Sequence, residues 1–147
     1  MKKIIALFVL LAAVTFIAPF SGAQMCDQQA KIAGAHITPP YVSDGQTYRA
    51  FVTAGQTAEF HATFFAGTTY RIAGATGEGD GNLIYSVYSV DPNTGERALI
   101  FTNSQHNNAP YWDFKVTTTV EVAIEASLNP ASNKESGCAV LLIGFKQ

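Results

Sequence analysis

Residues 58–64 read Ala58-Glu59-Phe60-His61-Ala62-Thr63-Phe64, a strict alternation of apolar and polar side chains. Successive side chains of a β-strand point to opposite faces of a sheet, so this stretch predicts a strand with one buried face. Glu59 and His61 are expected on the wet face. The same alternation recurs at residues 111–116 and 120–125. The pattern is typical of antiparallel sheets that have water on one side.

The rest of the chain beyond residue 35 shows no helical periodicity of useful length. Short runs rich in Val, Ile, Thr, Tyr and Phe alternate with clusters of Gly, Asn, Asp and Pro. This spacing predicts an all-β, single-domain β-sandwich, jelly-roll-like, with about eight strands and a short N-terminal helix or arm. The predicted strands are Thr47–Thr53, Thr57–Phe65, Thr69–Ala75, Leu83–Val90, Arg97–Thr102, Tyr111–Val116, Thr119–Ser127 and Cys138–Phe145.

The last predicted strand, Cys138–Phe145, differs from the others because it is apolar on both faces. A strand with one face in water alternates, so something must cover the second face of this one. The segment Asp27–Ala35 is the expected cover, since Cys26 would be tied to Cys138. We expect a short helix or an extended arm there. The alternative is a dimer interface on that sheet face.

The N-terminus has the three parts of an export signal. Met1–Lys3 is basic, Ile4–Phe20 is an almost continuous apolar run, and Ser21–Ala23 supplies the small residues of a cleavage site. Cleavage behind these residues is expected. An uncleaved anchor is the first alternative, but the run is slightly short for a membrane span. A lipoprotein is the second, and the bulky Met25 ahead of Cys26 fits lipid attachment poorly.

The two cysteines of the chain, Cys26 and Cys138, both follow the export signal. An exported chain with two cysteines is expected to form one disulfide, with a pair of free thiols as the weaker alternative. The expected domains are a signal peptide (1–23), an arm or short helix (24–46) and a β-sandwich (47–147). We expect the mature protein in the periplasm or outside the cell, with a Gram-negative bacterium as its source.

The charge of the chain limits its partners. The sequence has 9 basic and 11 acidic residues, and loss of Lys2 and Lys3 with the signal leaves 7 basic ones. There is no basic patch, which makes nucleic acid and anionic membranes poor partners. No second apolar run is long enough to span a bilayer. A protein or a polysaccharide is the expected partner.

Catalytic residues are not evident in the sequence. His36, His61 and His106 lie far apart, and no spacing resembles paired zinc ligands, a nucleophile elbow or a phosphate loop. Glu59 and His61 lie on one exposed strand face, as an acid–base pair or half a metal site would. A solvated sheet surface with cross-strand pairs is the favoured explanation of these two residues. An enzyme is therefore not expected, and a hydrolase would need a further carboxylate in the same cleft.

A glycine-rich loop is a candidate calcium site. Residues 77–82 read Gly-Glu-Gly-Asp-Gly-Asn, so Glu78, Asp80 and Asn82 would supply oxygen ligands of the kind that calcium prefers. The loop lacks the spacing of an EF-hand. A hairpin turn explains the same residues without a metal. No other cofactor is expected.

A polar loop that leads into Tyr111 is a candidate sugar-binding surface. Tyr111 should face outward on its strand, and Tyr41, Tyr48 and Tyr88 are candidates to join it. An aromatic ring with a polar edge suits stacking on a sugar, with amides nearby for the hydroxyls. Ordinary surface tyrosines are the alternative. The candidate ligand-binding residues are Tyr111, Asn103, Gln105, His106, Asn107 and Asn108.

Two short motifs resemble a known family. The stretch Ala66–Ile72, followed by Gly79–Tyr85, is similar to the aromatic strand and Asp-rich turn of bacterial pre-peptidase C-terminal (PPC) domains. These are jelly-roll-like sandwiches attached to secreted enzymes, and the resemblance spans roughly Thr57–Phe145. It implies a non-catalytic domain of a kind that in some members binds calcium or polymeric substrates. Asp80 and, more loosely, Asn82 fall where the family's turn carries metal-binding acids.

These observations together predict a non-catalytic exported β-sandwich that binds a protein or polymer partner. A carbohydrate-binding module is the alternative from another class. A calcium-stabilised accessory domain is a third hypothesis.

Overall fold

The structure, a computed structural model, describes residues 22–147. Its elements are one α-helix, nine β-strands and two 3-10 turns. They are α1 (Gly22–Gly34), β1 (Val42–Ser43), β2 (Tyr48–Thr53), β3 (Thr57–Phe64), β4 (Thr69–Ala75), β5 (Leu83–Val90), β6 (Arg97–Thr102), a 3-10 turn (Asn103–Gln105), β7 (Tyr111–Lys115), β8 (Val120–Leu128), a second 3-10 turn (Pro130–Ser132) and β9 (Ser136–Lys146).

The strands form two antiparallel sheets. Sheet A has the order β1-β9-β4-β7, with β2 also paired to β9, and sheet B has the order β3-β8-β5-β6. Strands β1 and β2 pair with opposite ends of β9. From β2 onward each connection crosses to the other sheet, except the hairpin between β5 and β6. The first long strand, β2, pairs with the last strand, β9, in sheet A.

The core fills the space between the sheets with inward side chains of both. Tyr85, Ile72 and Ile124 are fully buried there. Gly74 marks a close approach, because a Cβ at this position would lie 2.9 Å from Leu83 Cδ2. Each large apolar side chain buried in this way contributes about 1.5–3 kcal/mol of transfer free energy.

The helix α1 covers the outer face of sheet A, as the two-faced apolar pattern of the last strand predicts. Cys26 is bonded to Cys138, with their Cα atoms 5.2 Å apart, so the predicted disulfide is confirmed. Farther along the helix, Ala33 is fully buried against Ala73 and its neighbours on β4. The helix therefore covers the sheet face for which a dimer interface was the alternative prediction.

The prediction of an all-β sandwich with a short N-terminal helix is confirmed. The eight predicted strands are all present, three with the predicted bounds and five with ends shifted by one or two residues. The ninth strand, Val42–Ser43, is too short to show a period in the sequence. The jelly-roll form stays a prediction, as do the domain boundaries. Most of the predicted signal peptide lies outside the described residues. Within residues 22–147, no helix has the length and apolar content needed to cross a bilayer.

Candidate functional site

The outer face of sheet B is uncovered, in contrast to that of sheet A. All four outward side chains of β3 are exposed. We call this surface the open face and define it by the outward residues of the four strands. They are Thr57, Glu59, His61, Thr63, Glu121, Ala123, Glu125, Ser127, Ile84, Ser86, Tyr88, Val90, Arg97, Leu99 and Thr102.

An arginine spans the open face from one edge to the other. Arg97 lies on β6, and its guanidinium donates two hydrogen bonds to Glu59 on β3, Nη1 to Oε2 at 2.6 Å and Nη2 to Oε1 at 3.0 Å. A second carboxylate, Glu125, lies 3.6 Å from Arg97 Nη1. Between the two edges, Ala123 faces outward and is nevertheless fully buried. The open face therefore has a charged bridge across its middle.

The hydrogen bonds from Arg97 also control the ionisation of Glu59 in the Glu59–His61 pair. Glu59 Oε1 lies 2.7 Å from His61 Nε2. The hydrogen bonds from Arg97 and His61 hold the pKa of Glu59 at about 2, so this carboxylate stays ionised at neutral pH. A group with so low a pKa is a weak general base. The three groups meet on an exposed strand face, as an ion-paired cluster.

The margin of the open face is apolar along β6. Leu99 and Ile100 are 53% and 48% exposed. Strand β6 pairs only with β5, and the register shifts between Val87 and Tyr88, which adds Ile100 as an extra residue. Unpaired strand edges with exposed apolar side chains are places where other chains bind.

The opposite margin of the open face borders a cleft where the two sheets separate. This seam cleft has a volume of about 690 Å³, within the range of small-ligand pockets. It adjoins the open face through His61 and Thr63. Its lining residues are Asp44, Gln46, Tyr48, His61, Ala62, Thr63, Phe64, Phe65, Ala66, Thr68, Tyr70, Ile143, Phe145 and Gln147.

Aromatic rings form much of the seam cleft. Phe64 and Tyr70 are buried and stacked, with ring centroids 4.2 Å apart. The Tyr70 hydroxyl accepts a hydrogen bond from the backbone N–H of Phe65 at 3.1 Å. That bond fixes the turn from which the Phe65 side chain extends, 59% exposed. Burial and Asp44 raise the pKa of Tyr48 to about 12, so its hydroxyl stays protonated as a donor.

The predicted sugar-binding loop has a buried residue at its start. Asn103 is fully buried, and its side chain makes three hydrogen bonds with backbone groups. Its Oδ1 accepts from Tyr85 N at 2.9 Å, and its Nδ2 donates to Leu83 O at 2.8 Å and to Ala109 O at 3.2 Å. Asn103 thus holds the loop on β5 and leaves no free amide for a ligand. The side chains of Gln105, His106 and Asn107 are exposed and Asn108 is half-exposed.

Tyr111 is 39% exposed, but one face of its ring is occupied. The Arg71 Cζ atom lies 4.4 Å from the Tyr111 ring centroid and 4.1 Å from that of the buried Tyr41. Arg71 also donates to both oxygens of Asp113, at 2.7 and 2.9 Å, and lowers the pKa of that carboxyl. Tyr48 lies in the seam cleft, away from this group. The structure does not bring the predicted tyrosines into one exposed row.

Two of the three predicted calcium ligands, Asp80 and Asn82, already have hydrogen-bond partners within the protein. Asn82 donates its Nδ2 to the Glu78 carbonyl at 2.8 Å, and Asp80 Oδ1 lies 3.0 Å from His36 Nε2. Among the described residues, no group of three or more His, Cys, Asp or Glu side chains is placed to hold a metal. Calcium at Glu78, Asp80 and Asn82 stays a prediction.

Several residues of these surfaces were not singled out by sequence analysis. Glu59 was named with His61, but its partner Arg97 was not, because the two residues are 38 positions apart and meet only through the order of the strands in sheet B. The run of Leu99, Ile100 and Phe101 did carry a signal, because three consecutive apolar residues break the alternation of a strand with one wet face. Phe65 was predicted as the last residue of its strand, but β3 ends at Phe64.

Comparisons with known proteins identify a fold. No family model and no curated protein matches the chain. Among solved structures it is similar to Aeromonas hydrophila PliG, described as a periplasmic lysozyme inhibitor of g-type lysozyme, with 15% identity and a TM-score of 0.52. The match covers 74% of this chain and 90% of PliG. A de novo designed double-stranded β-helix is 14% identical, with a TM-score of 0.31 over 69% of this chain and 99% of the design. The likeness to PliG supports the β-sandwich fold.

Proposed function

We propose that the chain is a non-catalytic exported domain that binds a protein partner through its open face. The observation that carries the proposal is the unequal cover of the two sheets. A disulfide-anchored helix buries the outer face of sheet A, while sheet B keeps an uncovered face with Leu99 and Ile100 in solvent. Exposed apolar side chains beside charged ones are typical of protein interfaces.

The disulfide and the export signal support a role outside the cytoplasm, where a disulfide persists. The fold shared with PliG supports a protein partner, since PliG is described as a lysozyme inhibitor. We propose a g-type lysozyme as the first partner to test.

The experiment is a calorimetric titration of the oxidised mature chain with g-type lysozyme, alongside an assay of peptidoglycan hydrolysis. We expect binding that Leu99→Asp weakens at least about tenfold, because the substitution puts a charge on the apolar margin. Phe51→Asp is the matched control. Phe51 is 57% exposed on β2 at the edge of sheet A, so the same change there should leave the affinity unchanged.

A melting curve of each variant shows that the fold is kept. Loss of affinity that is equal in both variants would contradict binding by the open face. Absence of binding at high micromolar concentrations would contradict the lysozyme as partner.

A second function is favoured by one observation near Tyr111. A shallow groove of about 510 Å³ lies along the edge strand β7, lined by Ala109, Pro110, Tyr111, Trp112 and Asp113. The partly exposed ring of Tyr111 beside an exposed polar loop suits stacking on a polysaccharide. A polysaccharide that binds the native state raises the melting temperature with dose, and Tyr111→Ala should abolish that rise. Such a result would replace the protein-binding proposal.

A further inference from the structure

The seam cleft has the lining of a site for a cationic side chain. Five aromatic residues contribute to it: Tyr48, Phe64, Phe65, Tyr70 and Phe145. The face of an aromatic ring attracts an ammonium or guanidinium group, and the attraction grows where water is displaced. An apolar ligand would suit such rings as well, so the polar groups of the cleft decide between the two.

One acidic side chain, Asp44, lies in the cleft, and it is held in place. The backbone N–H of Asp44 donates to Ile143 O at 2.9 Å. Its Oδ1 accepts from Gln46 N at 2.9 Å, and its Oδ2 accepts from the Tyr48 hydroxyl at 3.2 Å. Each carboxylate oxygen has a second lone pair that these bonds leave free. Neither lysine nor arginine is among the lining residues, so Asp44 has no cationic partner there.

The open face, which borders the cleft along β3, has a net negative charge when its β5–β6 hairpin is included. The open face and its β5–β6 hairpin carry five carboxylates and one arginine, Arg97, which is already bound to Glu59. The remaining part of the chain after the signal therefore has six acidic and six basic residues. All of the net charge of the mature chain thus lies on this side, where it would attract a cationic partner. The five acids are Glu59, Asp91, Glu96, Glu121 and Glu125.

We propose that the partner is a basic protein, and that one of its lysine or arginine side chains enters the seam cleft among the aromatic rings and pairs with Asp44. This inference rests on the proposed function and adds the chemistry of the partner. The surrounding acids of the open face steer the partner, while the cleft supplies the specific contact.

The test uses two unstructured peptides of one sequence, with arginine in the first and citrulline, its neutral isostere, in the second. Each is titrated into isotopically labelled, oxidised mature protein and followed by NMR. We expect the arginine peptide to bind at least about tenfold more tightly and to shift the amide signals of Tyr48, Phe65 and Tyr70. Asp44→Asn should remove that preference. Glu78→Gln, the same charge change on the exposed glycine-rich loop, is the matched control and should keep it.

Equal binding of the two peptides would overturn the inference. So would an equal effect of Asp44→Asn and Glu78→Gln, because it would show attraction to net charge alone. Phe65→Ser gives a second variant that leaves Asp44 and its hydrogen bonds intact, and it should also lose the arginine preference. If Leu99→Asp weakens the affinity for a protein partner while Asp44→Asn leaves that affinity unchanged, the proposed function stands and only this inference is refuted.

Discussion

The outer faces of the two sheets differ in what covers them. On sheet A the outward residues of β9 are apolar, and α1 buries them with the Cys26–Cys138 bond at one end and Ala33 farther along. On sheet B the outward residues are mostly polar, and their main contacts are with one another, through Arg97 and Glu59. The sequence of a strand therefore indicates whether its face needs a second layer. The uncovered face is the one free for a partner.

The largest expected effect is on the covered face. Replacing both Cys26 and Cys138 by serine should lower the free energy of unfolding by about 4 kcal/mol, because the bond closes a loop over a separation of 112 residues. Urea unfolding of the variant and of the wild type measures this. Wild type treated with a reductant should match the variant, and the variant should not respond to it. A loss below about 1 kcal/mol would mean that packing alone holds the helix.

Placing the same charge on each face sharpens the contrast. Ala33→Glu puts a carboxylate into the fully buried contact between α1 and β4, and should cost about 3 kcal/mol. Thr57→Glu puts it on the exposed surface of β3, where the cost should stay within about 0.5 kcal/mol. Thermal and urea unfolding of both variants measure the two losses of unfolding free energy. Equal costs would contradict the assignment of one covered and one open face.

The loop beyond β6 gives a third test. Asn103→Ala removes the partner of three backbone groups and should destabilise the protein by about 2 kcal/mol. Gln105→Ala, in the same loop but exposed, should change the unfolding free energy by less than about 0.5 kcal/mol. If Asn103→Ala proved neutral, Asn103 would be free to act as a ligand group, as expected of the polar loop from its sequence.

The smallest effect concerns pH. The pKa of Glu59 is lowered from 4.5 to about 2 in the folded protein, so its ion pair stabilises the fold above pH 4.5 and is lost as the pH falls towards 2. The side chain is 36% exposed and solvent screens the pair, which limits the effect to less than about 1 kcal/mol. Unfolding of wild type and Glu59→Gln at acidic and neutral pH should show a difference that shrinks in acid. A difference that grows in acid would contradict the pairing.

Much of the fold follows from local pattern, and much of the candidate site does not. The alternation in Ala58–Phe64 predicts that strand. The strand Cys138–Phe145 is apolar on both faces, which predicts that a further segment covers one of them. The bridge from Arg97 to Glu59 depends on strand order, which no local pattern contains. The seam cleft depends on where β2 and β3 separate. Asn103 looked like a surface residue because asparagine is polar, yet buried backbone groups of the loop require its amide.

Amide hydrogen exchange of the oxidised mature chain, with and without g-type lysozyme, tests the central claim most directly. We expect added protection on β3, on β6 and in the turn that carries Asp44, with no change along α1. Protection concentrated on α1 and the adjoining edge of sheet A would contradict it, since the partner would then bind the covered face.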